Sequence, residues 1–366
     1  MADVRVLVVD DSAMVRALIE ALVEMTEGLT ICGQAENGRQ AVTQALALQP
    51  DIITMDLQMP VMGGMEAIEE IMATRPTPIL VLSDVADARN AMAAVSRGAL
   101  EATHKPSVDD GPEFTSRLKM LAGVPVIRHI RSRHAPIAAP ALTPLPLAGK
   151  LSLAPPAPLA GEVRGANVRF HGRVFAIAVS TGGPQALAQI LPRLPAHFPA
   201  PVLIAQHISD GFAAGMAAWL NELCPLTVTM AQDGEFLVPG RIYLANSTSH
   251  LAITPTRRIQ LRPRADRDIY RPSCDVLLTT VAEVFGSSAV GVILTGMGRD
   301  GVKGMTAIRS AGGMTLGQDE ATSVVYGMNR EAIIAGSVQS VLPLAAMAGE
   351  MERLASTAPQ MRWEQR

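Results

Sequence analysis

The chain has 366 residues, of which 48% are hydrophobic and 18% are charged, and its formal net charge is −3. This length accommodates at least two domains, and the hydrophobic content excludes a globally disordered chain. The balanced charge excludes a strongly basic surface for nucleic acid. Three scattered cysteines exclude a disulfide framework and a CxxC metal site. The chain has no apolar run of about 18 residues and no signal-peptide pattern, so we expect a cytoplasmic protein that does not insert into membranes.

Residues 1–122 alternate short apolar runs with amphipathic stretches. The apolar runs predict strands at Arg5–Val9, Thr30–Ala35, Asp51–Met55, Pro78–Leu82 and Glu101–His104. The amphipathic stretches predict helices at Ser12–Met25, Asn37–Leu48, Met65–Ala73, Asp87–Arg97 and Glu113–Leu121. Regular alternation of this kind predicts a parallel sheet with helices on both faces, and hence a first α/β domain.

Residues 123–168 have a different composition, which predicts a linker between two domains. The stretch from Val124 to Gly165 contains 8 of the 26 prolines, and no acidic residue occurs from Phe114 to Gly161. A basic, proline-rich stretch is typical of a semi-extended linker that rests on an acidic neighbour. A nucleic-acid-binding arm is the alternative, but the stretch has no interleaved aromatic residues, so we expect no nucleic-acid partner.

Residues 169–356 predict a second domain, followed by a tail at 357–366. Strands are predicted at Val174–Val179, Pro201–Gln206, Leu226–Met230, Arg241–Ala245 and Ala289–Thr295. Helices are predicted at Pro184–Arg193, Gly211–Leu223, Ser273–Phe285, Val302–Ala311 and Gly327–Ala335, with a hairpin near Leu251–Leu261. This pattern predicts a doubly wound parallel α/β sheet.

Chemically active residues follow the predicted strands of the first domain. They are Asp10, Asp11, Asp56, Ser83 and Lys105. Clustered carboxylates at one edge of a parallel sheet repel one another and suit a Mg²⁺ ion. Asp56 could then accept a phosphoryl group, with Ser83 and Lys105 as partners for its oxygens. Each residue alone could be a helix cap or a loop residue, but their common placement favours a phosphorylation site.

Residues 3–121 resemble the response-regulator receiver family, through the motifs VVDDS, ITMDLQMP, ILVLS and THKP. The resemblance implies a flavodoxin-like fold, Mg²⁺ bound by Asp10, Asp11 and Asp56, and phosphorylation of Asp56 by a histidine kinase. Many receivers have an aromatic residue three positions before the lysine, where this chain has Ala102. The sequence therefore predicts phosphorylation without the aromatic switch of that family.

A second set of residues lies at the strand ends of the second domain. Ser180 precedes two glycines and Pro184, which we expect at the first helical position, while His207 and Asp300 follow two other apolar strands. A serine nucleophile needs a base, and the base needs a carboxylate that fixes its tautomer. The alternatives are a structural histidine, a helix-capping aspartate, and a phosphate cradle, although the lysine and spacing of a P-loop are missing.

Residues 174–345 resemble the catalytic domain of the chemotaxis protein-glutamate methylesterase family, through STGGPQAL, QHI, RPSCDVLL, VGVILTGMGRDG and GQDEATSVVYGM. The resemblance implies that Ser180 is the nucleophile, His207 the base and Asp300 its orienting partner, and that the Met297 amide binds the oxyanion. It implies hydrolysis of glutamate methyl esters, and deamidation of glutamines, on methyl-accepting chemoreceptors. Ester hydrolysis would need no cofactor.

Two other functions remain open from the sequence. The protein could be a phosphorylation-switched binding protein with a vestigial hydrolase domain, although the presence of Ser180, His207 and Asp300 favours an enzyme. It could also be a hydrolase of the same mechanism that acts on another acyl ester. Whether the substrate is a glutamate methyl ester or another acyl ester, we expect the receiver domain to restrain access to Ser180 until Asp56 is phosphorylated.

Overall fold

The computed structural model describes residues 3–124, 172–265 and 267–357. Nearly all of the predicted linker, and residues 358–366 of the predicted tail, lie outside the described residues. Val124, which the sequence assigned to the linker, is buried against the core of the first domain. Its apolar side chain therefore extends that core past the predicted boundary.

The first domain contains a five-stranded parallel sheet in the order β2-β1-β3-β4-β5. The strands are β1 Val4–Val9, β2 Leu29–Ala35, β3 Ile52–Asp56, β4 Ile79–Leu82 and β5 Glu101–Thr103. The helices are α1 Ala13–Glu24, α2 Gly38–Leu48, α3 Gly64–Thr74, α4 Ala88–Ser96 and α5 Gly111–Ala122. Side chains of Ser12 and Asn37 cap α1 and α2 by accepting backbone hydrogen bonds, which fixes the direction in which the chain leaves β1 and β2.

The second domain contains a seven-stranded parallel sheet in the order β14-β13-β12-β6-β7-β9-β8. Its strands are β6 Val174–Val179, β7 Val202–Gln206, β8 Thr227–Met230, β9 Arg241–Leu244, β12 Ala289–Ile293, β13 Met314–Gln318 and β14 Ser340–Leu342. The antiparallel pair β10 Ser249–Ile253 and β11 Ile259–Pro263 forms the predicted hairpin. The chain leaves β6 towards β7 and later returns to β12 on the other side of β6, which creates the topological switch point where α/β folds place their sites.

The helices of this domain are α6 Gly183–Ile190, α7 Phe212–Leu223, α8 Cys274–Phe285, α9 Val302–Ser310, α10 Met328–Ile334 and α11 Leu344–Ser356. The predicted doubly wound α/β architecture is confirmed, but three elements, β13, β14 and α11, were not predicted. Pro184 occupies the second helical position of α6 and not the first, because the helix begins at Gly183.

Candidate active site and phosphorylation site

Ser180 lies where β6 turns into α6. All six residues of β6 are buried, and the next residues form a tight turn in which Gly182 has a φ of +77°. A Cβ atom on Gly182 would lie 2.5 Å from the Cβ of Val324, so both the left-handed conformation and the close packing require glycine. The turn places Ser180 at the carboxyl edge of the sheet and just ahead of the N-terminus of α6.

His207 follows β7 and connects the other two members of the predicted triad. Its Nδ1 lies 3.1 Å from Ser180 Oγ, and its Nε2 lies 2.8 Å from Asp300 Oδ2. An ionised carboxylate only accepts hydrogen bonds, so Nε2 carries the proton of the neutral ring. Nδ1 is then free of a proton and faces the serine hydroxyl, which is the arrangement that a general base requires.

Asp300 lies in the loop after β12 and is buried. Burial alone would raise the pKa of its carboxyl group, but the hydrogen bond and electrostatic influence of His207, together with backbone amides, lower that pKa overall. The amides come from the N-terminus of α8, where unpaired N–H groups attract negative charge. The groups that donate to the carboxylate are His207 Nε2, Ser273 Oγ and the amides of Cys274, Asp275 and Gly301.

Met297 lies in the same loop as Asp300, between two glycines. Its neighbour Gly296 pairs with both Val325 and Met328 through its backbone, and Gly298 has a φ of +89°. Within the described residues, the Met297 amide donates no hydrogen bond. An amide without an acceptor in such a turn can donate to a developing oxyanion.

Tyr270 is a site residue that the sequence did not predict. Its ring stacks on His207, with centroids 5.2 Å apart and planes inclined by 14°. Tyr270 immediately precedes RPSCD, the start of the RPSCDVLL motif that carries part of the family resemblance. The motif itself supplies the Ser273 hydroxyl and the Cys274 amide to Asp300. The contacts to Asp300 span 26 and 27 residues and the Tyr270–His207 contact spans 63 residues, and no spacing in the sequence indicates them.

The predicted phosphorylation site forms at the carboxyl edge of the first sheet. Ligand oxygens of Asp10, Asp11 and Asp56 all lie within 4.8 Å of one another. Burial raises the pKa of Asp10, and the charge of Asp56 adds to this effect against the opposing influence of Lys105. Lys105 Nζ lies 2.7 Å from Asp56 Oδ2 and 2.9 Å from Asp10 Oδ2. This all-oxygen donor set, with its excess of negative charge, fits Mg²⁺.

Two further residues define the surroundings of Asp56. Ser83, just after β4, is buried, and among the described residues its hydroxyl makes only a long 3.5 Å hydrogen bond, to the Asp84 carbonyl. Ala102 is buried in β5, so its methyl group occupies the position where many receivers have an aromatic ring. Ser83 therefore has a hydroxyl that can reorient, whereas Ala102 has no side chain that could act as a rotameric switch.

The receiver domain contacts the active-site face of the second domain. Gln185, on α6, donates to the carbonyls of Val95 and Ala99 at 2.8 and 3.0 Å. On α7, a Cβ atom at Gly215 would lie 2.6 Å from the Cβ of Ala88. Helix α4 therefore packs closely on α6 and α7.

Comparisons with known proteins agree with this architecture. The family model for the CheB methylesterase matches residues 175–351, and the model for the response regulator receiver domain matches residues 6–119. A protein-glutamate methylesterase/protein-glutamine glutaminase of Paramagnetospirillum magneticum is 49% identical over 95% of each chain. The protein-glutamate methylesterase FrzG of Myxococcus xanthus is 41% identical over 81% of this chain and 82% of its own.

Solved structures resemble the two domains separately. The catalytic domain of the Thermotoga maritima CheB methylesterase is 36% identical and covers 50% of this chain and 98% of its own, with a TM-score of 0.49. The receiver domain of that protein is 32% identical and covers 34% of this chain and 98% of its own, with a TM-score of 0.32. Among the described residues, no helix has the length and apolar character to cross a membrane. From its identity with relatives along nearly its full length, the chain belongs to the CheB family of receiver-linked protein-glutamate methylesterases.

Proposed function

We propose that this protein hydrolyses methyl esters of glutamate side chains, and deamidates glutamines, on the cytoplasmic parts of methyl-accepting chemoreceptors. The observation that carries the proposal is the continuous contact from Ser180 through His207 to Asp300. Relatives that match this protein along 95% of the chain are named for these two activities. The substrate class therefore follows from the family, and the chemistry follows from the geometry.

The proposed reaction begins with attack of Ser180 Oγ on the ester carbonyl while His207 Nδ1 takes the hydroxyl proton. The tetrahedral intermediate places its negative oxygen against the Met297 amide, and ionised Asp300 stabilises the imidazolium. His207 then gives the proton to the leaving methoxide, and methanol departs. Water hydrolyses the glutamyl-enzyme by the same steps, which restores the serine. With an amide substrate, ammonia leaves instead, and this step depends more strongly on His207 as general acid.

We further propose that Asp56 is phosphorylated by a chemotaxis histidine kinase and that this modification controls the hydrolase. Bound by Asp10, Asp11 and Asp56, Mg²⁺ would supply positive charge beside the phosphoryl oxygens. The chain's own contribution is the Lys105 ammonium, already 2.7 Å from Asp56, and the Ser83 hydroxyl. Phosphorylation adds a charge of about −1.5 to −2, which attracts both groups.

Contacts between the two domains support a route for the proposed signal. Ser83 leads into the loop before α4, and α4 packs against α6, which begins just after Ser180. Helix α5 also reaches the second domain, because Arg117 donates to Ser209 Oγ at 2.9 Å. A shift of Ser83 towards the phosphoryl group would move the start of α4 and loosen these contacts. The proposed result is better access to Ser180.

Methylated chemoreceptor membranes offer a direct test of the substrate class. The wild-type protein should release methanol from them, and mass spectrometry of the receptor should show glutamate at the formerly methylated positions. Methanol release without the appearance of glutamate at those positions would indicate that the substrate is another acyl ester. Complete absence of hydrolysis, with a folded protein, would favour a binding protein that has lost its catalytic function.

A further inference from the structure

A second histidine–aspartate pair lies close to the proposed triad and is connected to Asp300 through Ser273. His250, in β10, is buried, and its Nε2 lies 2.9 Å from Asp268 Oδ2. Its Nδ1 accepts a hydrogen bond from the Ser273 amide at 2.9 Å. Because Nδ1 accepts, the neutral ring carries its proton on Nε2 and donates it to Asp268.

The two bonds of His250 join both ends of one short stretch, residues 268–273, which we call the 268–273 segment. Asp268 begins the segment and Ser273 ends it. The segment is further held by the Arg271 Nε, which donates to the Asp268 carbonyl at 3.1 Å, and by the Arg271 carbonyl, which accepts from the Ile208 amide. One buried imidazole therefore closes a loop whose middle part faces the catalytic histidine.

The 268–273 segment makes two contacts with the triad. Tyr270 stacks on the ring of His207, and Ser273 Oγ donates to Asp300 Oδ1 at 3.1 Å. Ser273 also caps α8, whose next two amides donate to Asp300. The position of the segment therefore determines how the His207 ring is covered on one face. It also determines where the Asp300 carboxylate, which orients that ring, is held.

We propose that His250 is a positioning residue, whose two ring nitrogens hold the 268–273 segment in place and so keep His207 oriented for catalysis. The inference rests on the proposed function and deepens it, because it concerns the same triad. His250 itself touches neither the nucleophile nor the base. Its effect passes through Ser273 to Asp300 and through Tyr270 to His207, in the way that outer residues fix the geometry of reacting groups.

Three substitutions at this position separate its two hydrogen bonds. His250→Leu removes both. His250→Asn keeps an oxygen acceptor on Cγ, where Nδ1 stands, and can still bind the Ser273 amide. His250→Gln places its amide further out, near the position of Nε2, and favours the bond to Asp268. His197→Leu, at an exposed position of the same domain, is the matched control.

The kinetic test compares methanol release by the full-length variants under the same phosphodonor and Mg²⁺ conditions. We expect His250→Leu to lower kcat about 10- to 100-fold with little change in KM, because small displacements of catalytic groups have effects of this size. His250→Asn should recover most of the rate, His250→Gln much less, and His197→Leu should match the wild type. Equal rates in all variants, or equal losses in His250→Leu and His250→Asn, would overturn the proposal.

A spectroscopic readout makes the test independent of the substrate. In protein labelled with ¹⁵N at histidine, the ring nitrogens of His207 should report a proton on Nε2 in the wild type and in His250→Asn, and an altered pattern in His250→Leu. If the wild type releases no methanol, the proposed function fails, while the nitrogen signals still decide the positioning role. Should His250→Leu not fold, Asp268→Ala removes the partly exposed end of the pair. It should then lower kcat several-fold at unchanged melting temperature, and an unchanged kcat would refute the role.

Discussion

Thr181, the residue after the nucleophile, donates a hydrogen bond from its Oγ1 to Glu101 Oε1 in β5 of the receiver domain at 2.5 Å. Glu101 also lies 3.8 Å from Arg117 of α5. Ser209, two residues after His207, accepts a hydrogen bond from that arginine and donates one to Thr103 in β5. The strand that leads to Lys105 of the proposed phosphorylation site is thereby connected to residues beside two members of the proposed triad.

The Glu101–Thr181 contact predicts a variant with raised basal activity. Replacement of Glu101 by alanine removes one hydrogen bond that holds the domains together. The hydrogen bond contributes about 1 kcal/mol to the contact between the domains. Its loss would raise the ratio of accessible to closed protein by about fivefold in the unphosphorylated state. Methanol release without a phosphodonor measures the effect. Arg39→Ala, which removes an exposed pair with Glu70 on the receiver surface, should leave the rate unchanged. A basal rate of Glu101→Ala equal to that of the wild type would contradict this role of the contact.

The triad predicts large and non-additive losses of activity. Ser180→Ala and His207→Ala should each lower the turnover of methyl esters by roughly 10⁴–10⁶, and the double variant should lose little more because the residues act as a unit. Asp300→Asn should lower this turnover by on the order of 10⁴, since the amide no longer fixes the His207 tautomer that is protonated on Nε2. Ser356→Ala, at an exposed serine of α11, is the control. Near-normal turnover in folded Ser180→Ala would remove this serine from the mechanism.

The lowered pKa of Asp300 predicts a pH dependence of stability. A carboxyl group with a lower pKa in the folded state stabilises the protein fully above its ordinary unfolded value, and this stabilisation is lost as the pH falls through the folded value. The difference in melting temperature between wild type and Asp300→Asn should therefore be constant near neutral pH and shrink below about pH 4. Calorimetry at a series of pH values measures it. A difference that stays constant throughout the acidic range would show that the charge of Asp300 is not what stabilises the fold.

The three cysteines should react slowly with thiol reagents in the folded protein. Burial raises the pKa of Cys32 and brings that of Cys224 to about 12. The pKa of Cys274 is raised well above its usual value by burial and by the nearby charge of Asp300. Because the thiolate is the reactive form, each thiol should react more slowly near pH 8 than a free cysteine. A chromogenic disulfide reagent, used before and after denaturation, checks this, and a rapid stoichiometric reaction of the native protein would contradict it.

Most elements of the second domain were predicted, but β13, β14 and α11 were not, although α11 buries an apolar stripe at helical spacing. The limits of β6 were predicted to the residue, because a run of apolar residues ends abruptly at Ser180 and two glycines. The three-residue edge strand β14 was missed, since it is short and only partly buried and therefore has no hydrophobic period. The members of the triad were indicated by their places at strand ends. The supporting contacts of Tyr270 and His250 were not, because they arise only when the hairpin and α8 pack together.

Phosphorylation control of the hydrolase is the central claim, and one comparison tests it most directly. Methanol release from methylated chemoreceptor membranes should be measured with and without a small phosphodonor and Mg²⁺, for wild type, Asp56→Asn and Ser180→Ala. The phosphodonor should raise the wild-type rate about tenfold, which requires only about 1.4 kcal/mol of differential stabilisation between the two arrangements. Asp56→Asn should keep its basal rate and show no activation, and Ser180→Ala should stay near background in both conditions. Equal activation of the wild type and Asp56→Asn, or a wild-type rate that the phosphodonor leaves unchanged, would contradict the account.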